Sequence, residues 1–243
     1  MSDDAIPAAT LVVMRDLPAG PPELLMVTRS RGMAFAGGAM VFPGGRIDEG
    51  DRALAADAVE AGKVAAIRET LEETGCPVGL APLPTDPGEI QQALHTGASF
   101  AELLERHGMQ LDLPSLTPFA RWRPTFNQPR RFDTLFFIAQ APAGDWPLHP
   151  QQGECDAAEW LGAAAVLERI AAGQASAIFP TVRNLERLAR FGSFAEARED
   201  ALAHPIETIS PWVEEVRGEK WLRIPDHLGY PVTRERLTDA VRA

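Results

Sequence analysis

The sequence predicts an α/β sandwich in which helices pack on a mixed β-sheet. Short apolar runs that are typical of strands alternate along the chain with longer segments of helical periodicity. One apolar run, residues 132–140, has the composition of a central buried strand. A chain of 243 residues with 45% hydrophobic content can also form a sizeable core. Strands and helices that alternate in this way are typical of sheets covered by helices.

The first predicted strands precede a glycine loop. Residues 10–14 and 23–28 are apolar runs separated by a Pro/Gly-rich stretch, which predicts two adjacent strands joined by a turn. A short strand at residues 40–42 ends at Pro43, Gly44 and Gly45. Because Gly45 has no Cβ, it permits close approach of the backbone to a ligand. A plain turn is the alternative interpretation.

The longest predicted helix covers residues 53–74, with a break expected at Gly62. Gly75 is a suitable residue to end this helix, and Pro77 prevents its continuation. The remaining predicted elements are a strand at 78–83, a helical insertion at 89–107, strands at 119–123, 132–140 and 156–161, helices at 163–172 and 182–191, and a terminal hairpin formed by 206–216 and 220–224.

Composition excludes several functional classes. A formal net charge of −11 with a pI near 4.9 argues against a nucleic-acid surface, which is typically basic. No apolar run approaches the ~20 residues that a membrane-spanning helix needs. The two cysteines, Cys76 and Cys155, form no disulfide framework, which favours a reduced cytosol. The acidic N-terminus is unlike a secretory or transit peptide. We therefore expect a cytoplasmic protein with no membrane or nucleic-acid partner.

Residues 68–75, RETLEETG, concentrate negative charge on a predicted helix. Positions i, i+3 and i+4 share a helix face, so Glu69, Glu72 and Glu73 lie together. Like charges at this spacing repel one another, and a cation would remove the repulsion. Clustered carboxylate oxygens suit Mg²⁺ or Mn²⁺. A solvated acidic face is the alternative to a metal site.

The order of strand, glycine pair and acidic helix resembles the Nudix hydrolases, whose box is G-x5-E-x7-R-E-U-x-E-E-x-G-U with U aliphatic. Gly45 matches the start of the box, and residues 68–76 match its second half, with Thr70 and Cys76 at aliphatic positions. The first acidic position is ambiguous. Asp51 is too far from Arg68, and Glu60 is too far from Gly45, which indicates an insertion of about nine residues within the box.

An extended box of this kind resembles the coenzyme A diphosphatase branch of the family. Residues 38–45, GAMVFPGG, match the end of the coenzyme A signature, and residues 28–30 resemble its beginning with spacing one residue short. Three further features resemble the same branch: residues 130–134 (RRFDT), Glu154 ahead of Trp160, and Pro180-Thr181 ahead of a helix.

The resemblance implies a Nudix-type α/β/α sandwich with a mixed sheet over residues 1–202. The resemblance covers most of residues 8–192. The order of the predicted elements indicates a helical insertion at about 87–110 within this domain. Residues 203–243, where the character of the sequence changes, are expected to form a C-terminal extension, a hairpin packed on the domain.

The resemblance also implies metal-dependent hydrolysis of a pyrophosphate bond in a nucleoside diphosphate linked to another group, X. With coenzyme A or acyl-coenzyme A as substrate, the products would be phosphopantetheine and adenosine 3′,5′-bisphosphate. Glu69, Glu72 and Glu73 would bind Mg²⁺ or Mn²⁺. Arg68 would fix their rotamers. Glu154 would be a further metal ligand or the general base.

Candidate substrate-binding residues are the arginines, whose guanidinium groups suit phosphates, and the glycine loop. They are Arg29, Arg31, Arg130, Arg131, Gly44 and Gly45. Phe35 and Trp122 are candidates either for stacking on a base or for core packing.

Other functions stay open at this point. A dinucleotide, ADP-ribose or a nucleotide sugar is an alternative substrate. A Nudix module that binds a nucleotide without cleaving it is an alternative of another class, although it would not need all three glutamates. The insertion and the terminal hairpin could support a homodimer or shape the acyl end of the pocket.

Overall fold

A computed structural model describes residues 5–33, 36–123 and 131–240. In these ranges the strands are β1 (Ile6–Arg15), β2 (Glu23–Arg29), β3 (Met40–Val41), β4 (Gly44–Arg46), β5 (Leu80–Ala81), β6 (Gln110–Leu111), β7 (Thr117–Trp122), β8 (Phe132–Gln140), β9 (Cys155–Gly162), β10 (Thr208–Ile209), β11 (Trp212–Val216), β12 (Glu219–Arg223) and β13 (Arg234–Arg236). The α-helices are α1 (Glu49–Ala53), α2 (Ala58–Thr74), α3 (Pro87–His95), α4 (Phe100–Arg106), α5 (Ala163–Ala171), α6 (Phe179–Leu188), α7 (Phe194–Ala203) and α8 (Leu237–Ala240), and Leu113–Ser115 form a 3₁₀ turn.

The main sheet is mixed and has eight strands, which confirms the predicted fold class. Its order is β10-β7-β8-β1-β2-β3, with β4 paired to β1 and β9 paired to β2. β1 and β8 run parallel from the Ile6–Phe132 pair to the Met14–Gln140 pair, and β7 and β10 are also parallel. The other pairs in this sheet are antiparallel. The sheet is thus organised around β1, which begins four residues earlier than predicted.

Helices cover both faces of the sheet. Successive side chains of a strand point to opposite faces. In β1, Leu11 and Val13 accordingly pack with α2 and the segment between β5 and β6, whereas Val12 and Met14 pack with α5, α6 and α7. The result is a three-layer sandwich with one hydrophobic core on each side of the sheet.

α2 carries the acidic stretch and is one continuous helix of 17 residues. Asp57 caps its N-terminus by accepting hydrogen bonds from the amides of Val59 and Glu60. The helix ends at Gly75, which has a φ of +73°, as the sequence indicated. The break expected at Gly62 is wrong. A Cβ at Gly62 would lie 3.0 Å from Leu135 Cδ1, so this glycine lets α2 pack closely on the sheet.

The segment between β5 and β6 contains two helices where the sequence predicted one helical stretch over 89–107. β5 and β6 pair antiparallel and bring the two ends of the segment together. Asp86 caps the start of α3 through its side chain, and α3 ends before Thr96. Ile90 and Leu103 bury their side chains in the core that α2 shares.

The chain after α7 contributes to the opposite core. β11 and β12 form an antiparallel hairpin through a turn at Arg217 and Gly218, and β13 adds a third strand. Tyr230 is buried, accepts a hydrogen bond from Trp122 Nε1 (3.1 Å) and donates one to Asn184 Oδ1 (2.8 Å). Across the described ranges, no helix combines the length and the hydrophobicity needed to cross a membrane.

The packing role of Gly62 is testable. Gly62→Leu should lower the free energy of unfolding by about 1–3 kcal/mol, because the added side chain overpacks the contact between α2 and the sheet. Ala58→Leu, at the exposed start of the same helix, should change it by less than about 0.5 kcal/mol. Urea denaturation of both variants measures this, and equal effects would contradict the assignment.

Candidate active site

A cavity of about 750 Å³ lies beside the N-terminal halves of β1 and β8. Its polar and charged lining residues, with two glycines, are Thr10, Arg29, Gly44, Gly45, Arg46, Arg68, Glu69, Glu72, Glu73, Thr134, Glu154 and Thr181. Its apolar lining residues are Ala8, Met33, Val41, Phe42, Trp122, Phe132, Phe136, Ile178 and Pro180. The cavity can therefore hold a ligand with one anionic and one less polar portion.

Glu73 is the most deeply buried of the predicted metal ligands, at 2% exposure. Its Oε2 accepts a hydrogen bond from the amide of Gly44 at 3.0 Å, and its Oε1 lies 3.8 Å from Arg29 Nη1. Burial, together with the nearby charge of Glu69, raises the pKa of Glu73 from 4.5 to about 8. At neutral pH, the charged form of Glu73 is therefore less favourable than its protonated form.

Gly44 and Gly45, the first two residues of β4, permit the close approach of the glutamates to this strand. A Cβ at Gly45 would lie 2.4 Å from the carboxyl carbon of Glu69. Gly44 has a φ of +157°, and a Cβ there would lie 2.4 Å from the carbonyl oxygen of Ala9. Burial also raises the pKa of Glu69 to about 7, although the charge of Arg68 opposes the shift. The plain-turn interpretation of this loop therefore does not account for its contacts.

Arg68 holds the carboxylates in place. Its Nε and Nη2 donate to the two carboxylate oxygens of Asp51 at 2.9 and 2.8 Å. Its Nη1 donates to Glu69 Oε1 at 3.0 Å and to Glu72 Oε2 at 3.3 Å. Nη2 also reaches the carbonyl oxygen of Arg46 at 3.1 Å. The guanidinium group thus joins α2, α1 and β4.

Asp51, and not Glu60, provides the acidic partner of the box arginine. Asp51 lies in α1, is 1% exposed and makes the bidentate pair with Arg68. Glu60 lies at the N-terminal end of α2, where its Oε2 accepts a hydrogen bond from the amide of Ala56 at 2.8 Å. The extra residues of the box lie between Asp51 and Arg68, a stretch that includes the connection between α1 and α2. Sequence spacing could not show this, because both carboxylates fit one half of the pattern.

Glu154 reaches the same cavity from outside the box. It immediately precedes β9, and its carbonyl oxygen accepts a hydrogen bond from the amide of Ser30 at 2.8 Å. Burial raises the pKa of Glu72, Arg68 opposes the shift, and the charge of Glu154 adds to it. The structure therefore brings four carboxylates together: three from α2 and one from the loop before β9.

The carboxylates suit a divalent cation by their chemistry. Among the described residues, no three His, Cys, Asp or Glu side chains are already arranged as a metal-binding group, and Arg68 forms ion pairs with both Glu69 and Glu72. The donors are all oxygens, and burial disfavours their charge. A bound cation would offset both the desolvation and the mutual repulsion. Glu69, Glu72 and Glu73 are thus the residues that would hold Mg²⁺ or Mn²⁺.

The predicted substrate-binding arginines are not equivalent. Arg29, at the end of β2, lines the cavity, and its Nε has no hydrogen-bond partner in the described parts of the chain. Arg31 and Arg131 are exposed and do not line the cavity. They face solvent because one lies in the turn after β2 and the other just before β8. Arg130 lies outside the described residues.

Of the two aromatic candidates, Trp122 and Phe35, only Trp122 lies within the described residues. Trp122 lines the apolar part of the cavity, but it is 1% exposed and packs edge-on against Phe179 and Tyr230. Core packing is therefore its role, and its edge forms part of the cavity wall. Phe35 lies outside the described residues. Sequence reasoning missed most of the apolar wall, because Met33, Phe42 and Ile178 look like ordinary core residues until the fold brings them together.

Comparison with solved structures identifies proteins with a similar fold. A Nudix hydrolase from Alicyclobacillus acidocaldarius is 32% identical, with a TM-score of 0.73 over 82% of this chain and 97% of the other. The Nudix domain of Shewanella oneidensis NrtR, solved with ADP-ribose, is 15% identical, with a TM-score of 0.46 over 78% of this chain and 88% of the other. No family model and no curated protein matches the sequence.

The fold is an α/β/α sandwich in which the acidic end of α2 lies beside the glycine pair of β4. The 32% identity over nearly the whole length of the Alicyclobacillus protein establishes the family. This chain belongs to the Nudix hydrolase superfamily.

The role of Asp51 is testable by stability alone. Asp51→Asn should lower the free energy of unfolding by about 3 kcal/mol, because it breaks a buried pair and leaves Arg68 without its main partner. Glu60→Gln, which changes only a helix-end contact, should cost about 1 kcal/mol or less. Urea denaturation measures both, and the reverse order would assign the box position to Glu60.

Stability should also depend on pH through Glu73. Its folded pKa of about 8 lies above 4.5, so between these values the folded state binds more protons than the unfolded state. The free energy of unfolding in EDTA should therefore fall as the pH rises from 5.5 to 8.5. Glu69, with a pKa of about 7, acts in the same direction.

Glu73→Gln should flatten this pH dependence, because the amide has no charge to bury and can still accept the hydrogen bond from Gly44. Mg²⁺ should stabilise the wild-type protein more at pH 8.5 than at pH 5.5. Urea denaturation across this range measures both effects. Identical slopes for the wild-type and variant proteins would show that Glu73 does not titrate with a raised pKa.

Proposed function

We propose that this protein is a metal-dependent pyrophosphohydrolase that acts on a nucleoside diphosphate linked to X, with coenzyme A or acyl-coenzyme A as substrate. The observation that carries the proposal is the convergence of four carboxylates and Arg29 on one cavity that is also lined by apolar side chains. Phosphopantetheine and adenosine 3′,5′-bisphosphate would be the products.

Glu69, Glu72 and Glu73 would hold Mg²⁺ or Mn²⁺ at the polar side of the cavity. When bound, the cation neutralises the pyrophosphate charge and lowers the pKa of a coordinated water. Arg68 keeps Glu69 and Glu72 in position through its pair with Asp51. Buried carboxylates with raised pKa values support this assignment over a solvated acidic face.

Glu154 would act on the attacking water, either by accepting its proton or by binding a further cation. It lies on a different element from the other glutamates, so it can approach the substrate from another direction. Arg29 would bind a phosphate oxygen. Its Nε lacks a hydrogen-bond partner among the described residues, and a guanidinium group matches phosphate geometry.

The coenzyme A assignment rests on the residues that precede the box. The 38–45 match to the coenzyme A signature continues from β3 into β4, and Val41, Phe42, Gly44 and Gly45 from this segment line the cavity. The apolar wall around Met33 and Phe136 suits a pantetheine or acyl group better than a second charged nucleotide. A dinucleotide, ADP-ribose or a nucleotide sugar is the alternative substrate within the same reaction class.

A substrate panel tests the proposal. Coenzyme A, acyl-coenzyme A, NADH, ADP-ribose and nucleotide sugars are incubated with Mg²⁺ or Mn²⁺, and the products are separated by chromatography. We expect coenzyme A or its acyl form to give adenosine 3′,5′-bisphosphate with the highest kcat/KM, and excess EDTA to stop the reaction. Cleavage of another compound but not coenzyme A would reject this substrate.

Glu72→Gln should lower kcat by about 100-fold or more, because it removes a ligand of the cation while keeping the side-chain shape. Glu60→Gln is the matched control, since Glu60 lies in the same helix at its opposite end, and should stay within about twofold of wild type. Near wild-type turnover in Glu72→Gln would show that the metal ligands are misassigned. A wild-type protein that binds nucleotides but cleaves none would be a binding module.

A further inference from the structure

The C-terminal end of α2 is completed by groups from outside the helix. The last four carbonyl groups of a helix lack partners within it. In α2, the carbonyl of Leu71 accepts a hydrogen bond from the amide of Gly75 at 2.8 Å. The other three carbonyls are also satisfied: Glu72 by the side-chain amide of Gln91 (2.9 Å), Glu73 by the backbone amide of Gln151 (3.0 Å) and Thr74 by the backbone amide of His149 (2.9 Å).

Gln91 joins three parts of the chain at this point. It lies in α3, within the segment between β5 and β6, and is 9% exposed. Its Nε2 donates to the carbonyl of Glu72 and, at 2.7 Å, to the carbonyl of His149. One buried amide thus ties α3 to the end of α2 and to the loop that precedes β9.

A second contact holds the same loop to α3. The side-chain amide of Gln151 is within hydrogen-bond distance of His95 Nδ1, at 2.5 Å, and His95 is the last residue of α3. Gln151 is 6% exposed. The loop is therefore fixed by its backbone to α2 and by side chains to α3.

This loop leads directly to Glu154. The carbonyl of Gln151 accepts hydrogen bonds from the amides of Glu154 (3.3 Å) and Cys155 (2.9 Å). On its other side, Glu154 is held by the amide of Ser30. The position of the Glu154 carboxylate relative to Glu72 and Glu73 therefore depends on how the loop is held against α2.

We propose that Gln91 is a positioning residue that sets the place of Glu154 relative to the carboxylates of α2. This inference rests on the proposed function, since it concerns a residue of that site, and it gives the segment between β5 and β6 a role at the polar side of the cavity. A catalytic group displaced by about 1 Å can lose about 100-fold in rate. Loss of the two Gln91 hydrogen bonds should therefore be measurable.

The test is a double-mutant cycle with four full-length proteins: wild type, Gln91→Met, Glu154→Gln and the double variant. Methionine matches the length of glutamine but donates no hydrogen bond. Gln91→Met alone should lower kcat about tenfold with little change in KM, because an outer partner of a catalytic group is worth about 10–100-fold. In the Glu154→Gln background the same change should cost less than twofold, since the group that Gln91 positions is already absent.

The ratio of the two effects decides the outcome. Coupling of about threefold or more between Gln91 and Glu154 supports the proposal, because residues that act independently give multiplicative effects. Coupling below this overturns it and shows that Gln91 serves only the stability of α2. Gln92→Met is the control, since Gln92 is the exposed neighbour in the same helix and should leave kcat unchanged.

Mn²⁺ binding provides a readout that does not require turnover. The four proteins are titrated with Mn²⁺ and followed by electron paramagnetic resonance. The charge of Glu154 acts on Glu72 and Glu73, so its displacement should weaken Mn²⁺ binding only while Glu154 is present. Coupling in affinity without turnover of any substrate would keep this inference and reject the proposed function. Turnover of a substrate without coupling in either kcat or Mn²⁺ affinity would support the proposed function and overturn this inference.

A folding defect in Gln91→Met would not end the test. His95→Ala, at an exposed position, releases the Gln151 side chain and leaves the Gln91 hydrogen bonds intact. It should lower kcat by a smaller factor, about twofold to fivefold, that also disappears in the Glu154→Gln background. An undiminished effect in that background would overturn the proposal.

Discussion

The ion pair between Arg68 and Asp51 is the interaction on which the site depends. It is bidentate and largely buried, and it fixes a guanidinium group that also contacts Glu69, Glu72 and the backbone of β4. Without it, three glutamates at the end of α2 would repel one another next to a glycine loop that already excludes any side chain. Asp51 therefore acts on the glutamates indirectly, because both of its carboxylate oxygens bind Arg68 and hold that residue beside them.

The two faces of α2 lie in different environments. Val64, Ile67 and Leu71 are fully buried in the core on one face of the sheet, whereas the glutamates point toward the cavity. Apolar burial at about 25 cal/mol per Å² anchors α2. That anchoring allows the opposite face to carry carboxylates whose pKa values are raised by burial. Hydrophobic packing of α2 thus compensates for the unfavourable burial of its carboxylates.

Features set by local spacing could be predicted from sequence, and features set by folding could not. The shared face of Glu69, Glu72 and Glu73 follows from helical geometry, and the end of α2 follows from Gly75 and Pro77. The choice between Asp51 and Glu60 depends on how an insertion folds back, which spacing does not encode. Gly62 looked like a helix break because intrinsic propensity disfavours glycine, but packing against Leu135 determines its presence. Gln91 carried no signal, since its partners are backbone carbonyls distant in sequence.

The parallel pairing of β1 with β8 has a consequence for how the chain acquires its structure. β1 lies inside the sheet, with β8 on one side and β2 and β4 on the other, yet β8, with which it forms the longest ladder, begins only at Phe132. During synthesis at about 5–20 residues per second, β1 leaves the ribosome roughly 10 s before β8 does. For that time one of its edges presents unpaired amide and carbonyl groups flanked by apolar side chains. Early pairing with β2 and β4, which are close in sequence, protects the other edge, so the nascent chain is most exposed to aggregation before residue 140 is made.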